Sequence, residues 1–299
     1  MSGVDTTKEP TGLDQYTSAA EAAARQVIEA YSTSFGWATR LLGKEVRQPV
    51  RNIYALVRVA DEIVDGAAAE AARRGGAINP AAALDAYEAA VYKALTDGFS
   101  TDLVIHAFAV TANDCGFGRD LIEPFFASMR ADLTEQRHDA ESLVRYIYGS
   151  AEVVGLMCLA AFLRHSDNSY TREQKLKLAE GAKALGSAFQ RVNFLRDLAA
   201  DFNALGRSYF PGITAQNFTD ADRDRLVAEI GGEIEIAARE LPNLPRNCDR
   251  AVSAALMLFG ELNQKISQTP ASKLATTRIR VSDPRKLAIV LNAMTRRAR

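Results

Sequence analysis

Four carboxylates are spaced for chemistry. Asp61 and Asp65 lie four residues apart, so on a helix they point to nearly one side, and Arg58 joins them three residues earlier. Asp197 and Asp201 repeat the spacing, with Gln190 and Asn193 on the same stripe. Acids four apart are common in a chain that is 24% charged, and Asp220/Asp224 and Glu229/Glu233 read as solvated faces. Around Asp61 and Asp197 the helix is instead apolar on most sides. An unpaired carboxylate buried there costs roughly several kcal/mol, so the cluster needs a cation. Oxygen donors without His or Cys suit a hard ion, above all Mg²⁺, which keeps waters and bridges to substrate phosphates. Two facing acidic helices would line a metal-bearing pocket for a diphosphate, with Arg58 and Arg207 as direct phosphate partners. The competing reading is a pair of structural ion-pair networks, Arg58 with Asp61 and Arg191 or Arg196 with Asp197.

Other chemistries find less support. His106, His138 and His165 are isolated from one another in sequence, which argues against a zinc site. Cys115, Cys158 and Cys248 are odd in number, widely spaced and without a CxxC pair, so the chain reads as a reduced, cytoplasmic protein. Cys158 lies in an apolar run and reads as core. No G-x-S-x-G, G-x-x-x-x-G-K-[ST] or G-x-G-x-x-G motif is present. A net charge of −1 argues against nucleic-acid binding. That charge is unevenly spread: residues 271–299 hold eight basic residues against Asp283, a net +7, which leaves −8 for residues 1–270.

The elements that must position these residues are helices. Apolar periodicity of about 3.6 predicts them near 18–42, 45–66, 80–97, 101–115, 120–137, 141–164, 172–204, 219–240, 246–268 and 284–298, with Gly and Pro between them. The expected class is all-α, one large domain over 14–299 after a disordered tail, 1–13, with surface loops near 67–79 and 206–218. The apolar run 153–163 is well short of the ~20 residues a membrane span needs and reads as a buried core helix. In the last helix Leu287, Val290, Leu291 and Met294 form one stripe. Either that face packs on the domain, or this basic helix lies peripherally on the inner face of an anionic membrane.

In order along the chain, Ser32-Thr-Ser34-Phe35, Arg58-Val-Ala-Asp61-Glu-Ile-Val-Asp65-Gly66, Tyr146-Ile-Tyr148 to Gly155-Leu-Met157, and Gln190 to Asp201 followed by Gly206-Arg207-Ser-Tyr209-Phe-Pro211 resemble the squalene/phytoene synthase family, most closely its bacterial phytoene synthases. Arg280-Val-Ser282 and Arg285-Lys286-Leu287 resemble the family's ending. The resemblance covers about residues 18–292. It implies a helical domain of the isoprenoid synthase type with a central pocket between the acidic helices. It further implies Mg²⁺-dependent (with Mn²⁺ as the alternative ion) head-to-head condensation of two geranylgeranyl diphosphates, through a cyclopropyl diphosphate, to phytoene, without NADPH. The implied metal residues are Asp61, Asp65, Asn193, Asp197 and Asp201. Ser32, Ser34, Arg58, Gln190, Asn193 and Arg207 would bind diphosphate, and Tyr148, Arg207 and Tyr209 would serve catalysis beside the aspartates.

Thr33, Glu152 and Phe259 depart from the family's usual Lys or Arg, Gly and Tyr. Besides plain head-to-tail prenyl elongation, whose acidic motif Asp61-Glu62-x-x-Asp65 could mimic but which the Arg-x-Tyr-x-Pro loop does not fit, two alternatives stand beside the phytoene reading. One is a squalene or dehydrosqualene synthase using farnesyl diphosphate; eukaryotic relatives of that type carry a C-terminal anchor not found in this sequence. The other is a non-catalytic helical scaffold, against which the intact aspartates argue.

Overall fold

Helical periodicity is realised almost throughout the computed structural model, which describes residues 11–205 and 207–295. The helices are α1 (Gly12–Tyr31), α2 (Thr33–Arg40), α3 (Lys44–Val64), α4 (Ala67–Arg73), α5 (Pro80–Asp97), α6 (Leu103–Cys115) and α7 (Arg119–Thr134). Then come α8 (Ala140–Ile147), a π-helical turn (Tyr148–Glu152), α9 (Val153–Arg164), α10 (Arg172–Leu205), α11 (Asp220–Glu240), α12 (Asp249–Ser267), α13 (Ala271–Leu274) and α14 (Asp283–Thr295). Among the described residues no strand forms, and one isolated parallel bridge joins Arg137 to Ser208. Residues 1–10 of the expected tail lie outside the described residues; helix already begins at Gly12, capped by a reciprocal Thr11–Asp14 box.

Three elements differ from the periodicity reading. The helix expected over 18–42 breaks at Ser32, whose backbone is extended (φ −139°, ψ 108°). A Ser-Thr-Ser run competes for backbone partners, which favours a cap over a helix interior. The expected loop at 67–79 opens with α4, whose Ala-rich sequence favours helix and whose first N–H, on Ala67, donates to Glu62 Oε2 at 2.8 Å. The helix over 141–164 widens into the π turn. There Gly149 is required by close approach: a Cβ would sit 2.1 Å from the Pro124 carbonyl oxygen and 2.2 Å from Ser128 Oγ.

Two apolar cores meet along this central α8–π–α9 run. The first gathers Ile53, Leu56, Ala60 and Val64 of α3 with residues of α5, α6 and α7 and with Val153 and Met157 of α9. The second gathers Leu143, Tyr146 and Ile147 of α8 with Val192, Phe194, Leu195 and Leu198 of α10 and with residues of α11 and α12. One acidic helix therefore belongs to each core, and both pack on α9. Although residues 140–164 are long and apolar enough to cross a membrane by composition, they touch α3, α6, α7 and α10 and form the centre of the molecule.

On α14 the apolar stripe is divided. Ile289 and Ala293 are buried on a helix that packs on α12, whereas Leu287 and Leu291 are 48% and 53% exposed. Met294's side chain lies outside the described residues.

Candidate active site

Each acidic stripe sits on a helix anchored by its apolar side. On α3 the buried Ile53, Leu56, Ala60 and Val64 fix the rotation that sets Arg58, Asp61 and Asp65 on the opposite flank. Arg58 Nη1 meets Asp61 Oδ2 at 2.8 Å and Nη2 meets Glu62, while the guanidinium lies 4.5 Å above the Tyr31 ring. Burial pushes the Asp61 carboxyl above its ordinary range; Arg58 opposes that, and the charges of Asp65 and Glu62 add to it.

Asp65, the C-cap of α3, is held from the loop after α10. Arg207 forks onto it, with Nη1–Oδ2 and Nη2–Oδ1 both 2.6 Å. Arg207 is itself buried. It also donates to the Asp132 main-chain carbonyl and lies 3.5 Å from Asp132 Oδ1. Tyr146 Oη donates to both Asp132 oxygens, at 2.8 and 2.9 Å. Burial drives the Asp132 carboxyl up to about 7, and the Asp65 and Asp61 charges add to that, against Arg207 and the Tyr146 hydroxyl.

The Arg-Ser-Tyr segment that delivers Arg207 is fixed at each residue. Ser208 N–H donates to the Gln136 carbonyl at 2.8 Å, and Tyr209 stacks on Phe194 with ring centroids 3.8 Å apart. Tyr209 lies 5.6 Å from the Tyr146 ring and within reach of Arg207 (Nη1–Oη 3.5 Å).

On α10, Asp197 is clasped from two sides. Arg196 Nη2 lies 2.6 Å from Oδ2, and Arg278, from the segment between α13 and α14, places Nε 2.6 Å from Oδ1. Gln190 and Asn193 lie half-buried on the preceding turns of the same stripe. Ser32 hydrogen-bonds Tyr54, and Tyr148 is half-buried in the π turn against the first core. The side chains of Ser34, Thr33 and Asp201 lie outside the described residues.

The structure therefore brings Asp65 together with Arg207 and Tyr209, and Asp61 with Arg58. Of the expected ion pairs, Arg58–Asp61 and Arg196–Asp197 form. Arg191 does not join Asp197; it turns to Glu229 and Glu233 of α11, at 3.1 and 3.2 Å, because its turn of α10 faces that helix. Glu152 sits beside the positive charges of Lys183 and Arg191, and Phe259 stacks on Phe189 at 3.6 Å.

Sequence reasoning missed Asp132 and Arg278, and met Tyr146 only as the start of the central motif, without a role. Asp132 had a signal: it continues the apolar stripe of Phe125 and Met129 at helical spacing, a charge where α7 is otherwise buried. Arg278 had none, since its partner lies 81 residues away.

The family model for squalene/phytoene synthase matches residues 28–285. The chain belongs to the squalene/phytoene synthase family. Among curated members it is similar to the 15-cis-phytoene synthase of Enterobacter agglomerans, 25% identical over 288 residues, covering 89% of this chain and 92% of the relative. It is also similar to the 15-cis-phytoene synthase of Synechococcus elongatus, 29% identical over 266 residues and 82% of each chain. Among solved structures, a dehydrosqualene synthase bound to a ligand superposes with a TM-score of 0.74 at 21% identity, covering 94% of this chain and 97% of that one. A squalene synthase from Alicyclobacillus acidocaldarius gives 0.71 at 19%, covering 88% and 97%. Membership makes the chain a prenyltransferase-type enzyme with the helical fold of that family.

Proposed function

We propose that this family member condenses two geranylgeranyl diphosphates head to head into phytoene, releasing two diphosphates and two protons. The observation that carries this reading is that Asp61 and Asp65 of the α3 motif and Asp197 of α10 each face a guanidinium group, in a chain whose curated relatives named above are phytoene synthases. The donor chemistry supports Mg²⁺. The donors would be carboxylate and carboxamide oxygens, and burial, with the neighbouring Asp65 and Glu62 charges, keeps the Asp61 carboxyl above its ordinary range even beside Arg58. Asp61, Asp65, Asn193, Asp197 and Asp201 would hold the ion, which when bound neutralises charge on the departing diphosphate.

The chain's own residues do the rest. Arg58 presents a guanidinium to the phosphate oxygens, with Ser32, Ser34 and Gln190 as further donors. The first carbon–oxygen bond breaks with its electron pair on diphosphate; the double bond of the second substrate attacks the allylic cation, and loss of a proton closes the ring of the cyclopropyl diphosphate. A second ionisation, rearrangement and proton loss give the product without a reductant. Tyr148 and the apolar faces of α9 and α10 keep water from the cations. Arg207, forked to Asp65, orients that carboxylate, and Tyr209 braces the loop. The exposed Leu287 and Leu291 beside a +7 tail favour product delivery at an anionic membrane surface from the cytoplasmic side. Salt-sensitive co-sedimentation with anionic liposomes is expected, and indifference to lipid charge overturns that contact.

Substrate length is tested by supplying geranylgeranyl or farnesyl diphosphate separately with Mg²⁺ and resolving products by chromatography. Phytoene from the former, unchanged by NADPH, is expected. Preferential conversion of farnesyl diphosphate would move the assignment to a squalene or dehydrosqualene synthase, and inertness to both would leave a scaffold.

A further inference from the structure

His106, His138 and His165 are isolated from one another in sequence, but the fold brings one of them, His165, to a cysteine and a carboxylate. Asp114 and Cys115 end α6, and His165 caps α9. Asp114 Oδ, Cys115 Sγ and a ring nitrogen of His165 all lie within 4.8 Å of one another. We propose that these three side chains bind a divalent transition ion of the zinc class, with water in the fourth position, as a cross-link between the ends of α6 and α9.

Four observations support the site. Sulfur, imidazole and carboxylate together select zinc-class ions over Mg²⁺. Ligand atoms around a tetrahedral zinc lie roughly 3–4 Å apart, a small contraction of the present spacing. His165 Nε2 is buried without a hydrogen-bond partner and faces Asp114 Oδ2 at 3.3 Å. Two helix C-termini converge here, and their carbonyl ends favour a cation. The surrounding contacts orient the ligands. Arg164 takes Asp114 Oδ1 at 2.9 Å and its backbone carbonyl at 2.9 Å, leaving Oδ2 turned to the histidine. Asn247 Nδ2 holds the His165 carbonyl at 2.7 Å. Asp114 is exposed, so an aquated ion can reach the half-buried thiol and ring.

The test uses the full chain, freed of metal with a chelator, titrated with Co²⁺ in excess Mg²⁺ while absorbance is recorded. One equivalent of Co²⁺ should produce a thiolate-to-metal charge-transfer band in the near ultraviolet; the carboxylates on α3 and α10 cannot produce it. Cys115→Ser should abolish the band with the helical circular dichroism unchanged. His165→Gln should weaken Co²⁺ binding by more than the ~10–100-fold that loss of an outer-sphere partner costs. Absence of the band in the wild-type chain, or its survival in Cys115→Ser, overturns the site. Should that variant not fold, unchanged Co²⁺ affinity in His165→Gln overturns it equally.

Discussion

Arg207→Ala is the perturbation that most exposes how the site is held. The guanidinium forks onto Asp65 at 2.6 Å twice, donates to the Asp132 carbonyl and stands 3.5 Å from the Asp132 carboxyl. Removing it leaves two carboxylates without their cation, one of them buried. Breaking a buried pair in this way costs about 3–5 kcal/mol, a large part of the ~5–15 kcal/mol that holds a typical domain. Arg207→Lys keeps the charge and loses the fork, at about 1.5–3 kcal/mol for a charged hydrogen bond. Urea unfolding followed by circular dichroism measures both. A double variant separates the two orphaned carboxylates. If the orphaned Asp132 charge is the main cost, Arg207→Ala/Asp132→Asn should be more stable than Arg207→Ala alone. The rescue should be greater near pH 9 than near pH 6, where the carboxyl can relieve itself by taking a proton. A loss below about 0.5 kcal/mol for Arg207→Ala, or no rescue at either pH, refutes the account of this cluster.

Two further outcomes follow from the geometry. Asp132, at about 7 when folded against an ordinary ~3.9 unfolded, binds more protons in the folded state between those values. Its contribution to stability is therefore full below about pH 4 and lost as pH rises through 7. Asp132→Asn should flatten stability against pH over that window, and an unchanged slope contradicts the shift. Gly149→Ala should lower the thermal midpoint, with a cost of at least about 1–3 kcal/mol, because the added Cβ meets the Pro124 carbonyl and Ser128 Oγ. A wild-type midpoint would mean that the π turn relaxes freely.

What could be read from the sequence followed its local periodicities. The long helices carrying Asp61 and Asp197 were legible, because apolar residues at helical spacing set their rotation and left the acids on the opposite flank. The break at Ser32, the π turn at Tyr148 and the inward choice of Ile289 over Leu291 were not. The last two depend on a neighbouring element: the backbone of α7 at Pro124, which Gly149 approaches closely, and the surface of α12. Pairings across long separations were also hidden. Arg207 with Asp65 and Arg278 with Asp197 exist only once the chain has closed, as does the meeting of Cys115 with His165.

In the proposed reaction the acids of α3 and α10 act together on one diphosphate-bearing substrate. Diphosphate release from geranylgeranyl diphosphate with Mg²⁺, measured for the wild-type chain, Asp61→Asn and Asp197→Asn, tests it most directly. The account predicts rapid release by the wild-type chain and a loss of at least about 100-fold in each variant, the scale of removing one preorganised electrostatic contact, with native circular dichroism. Wild-type release by either folded variant would contradict it.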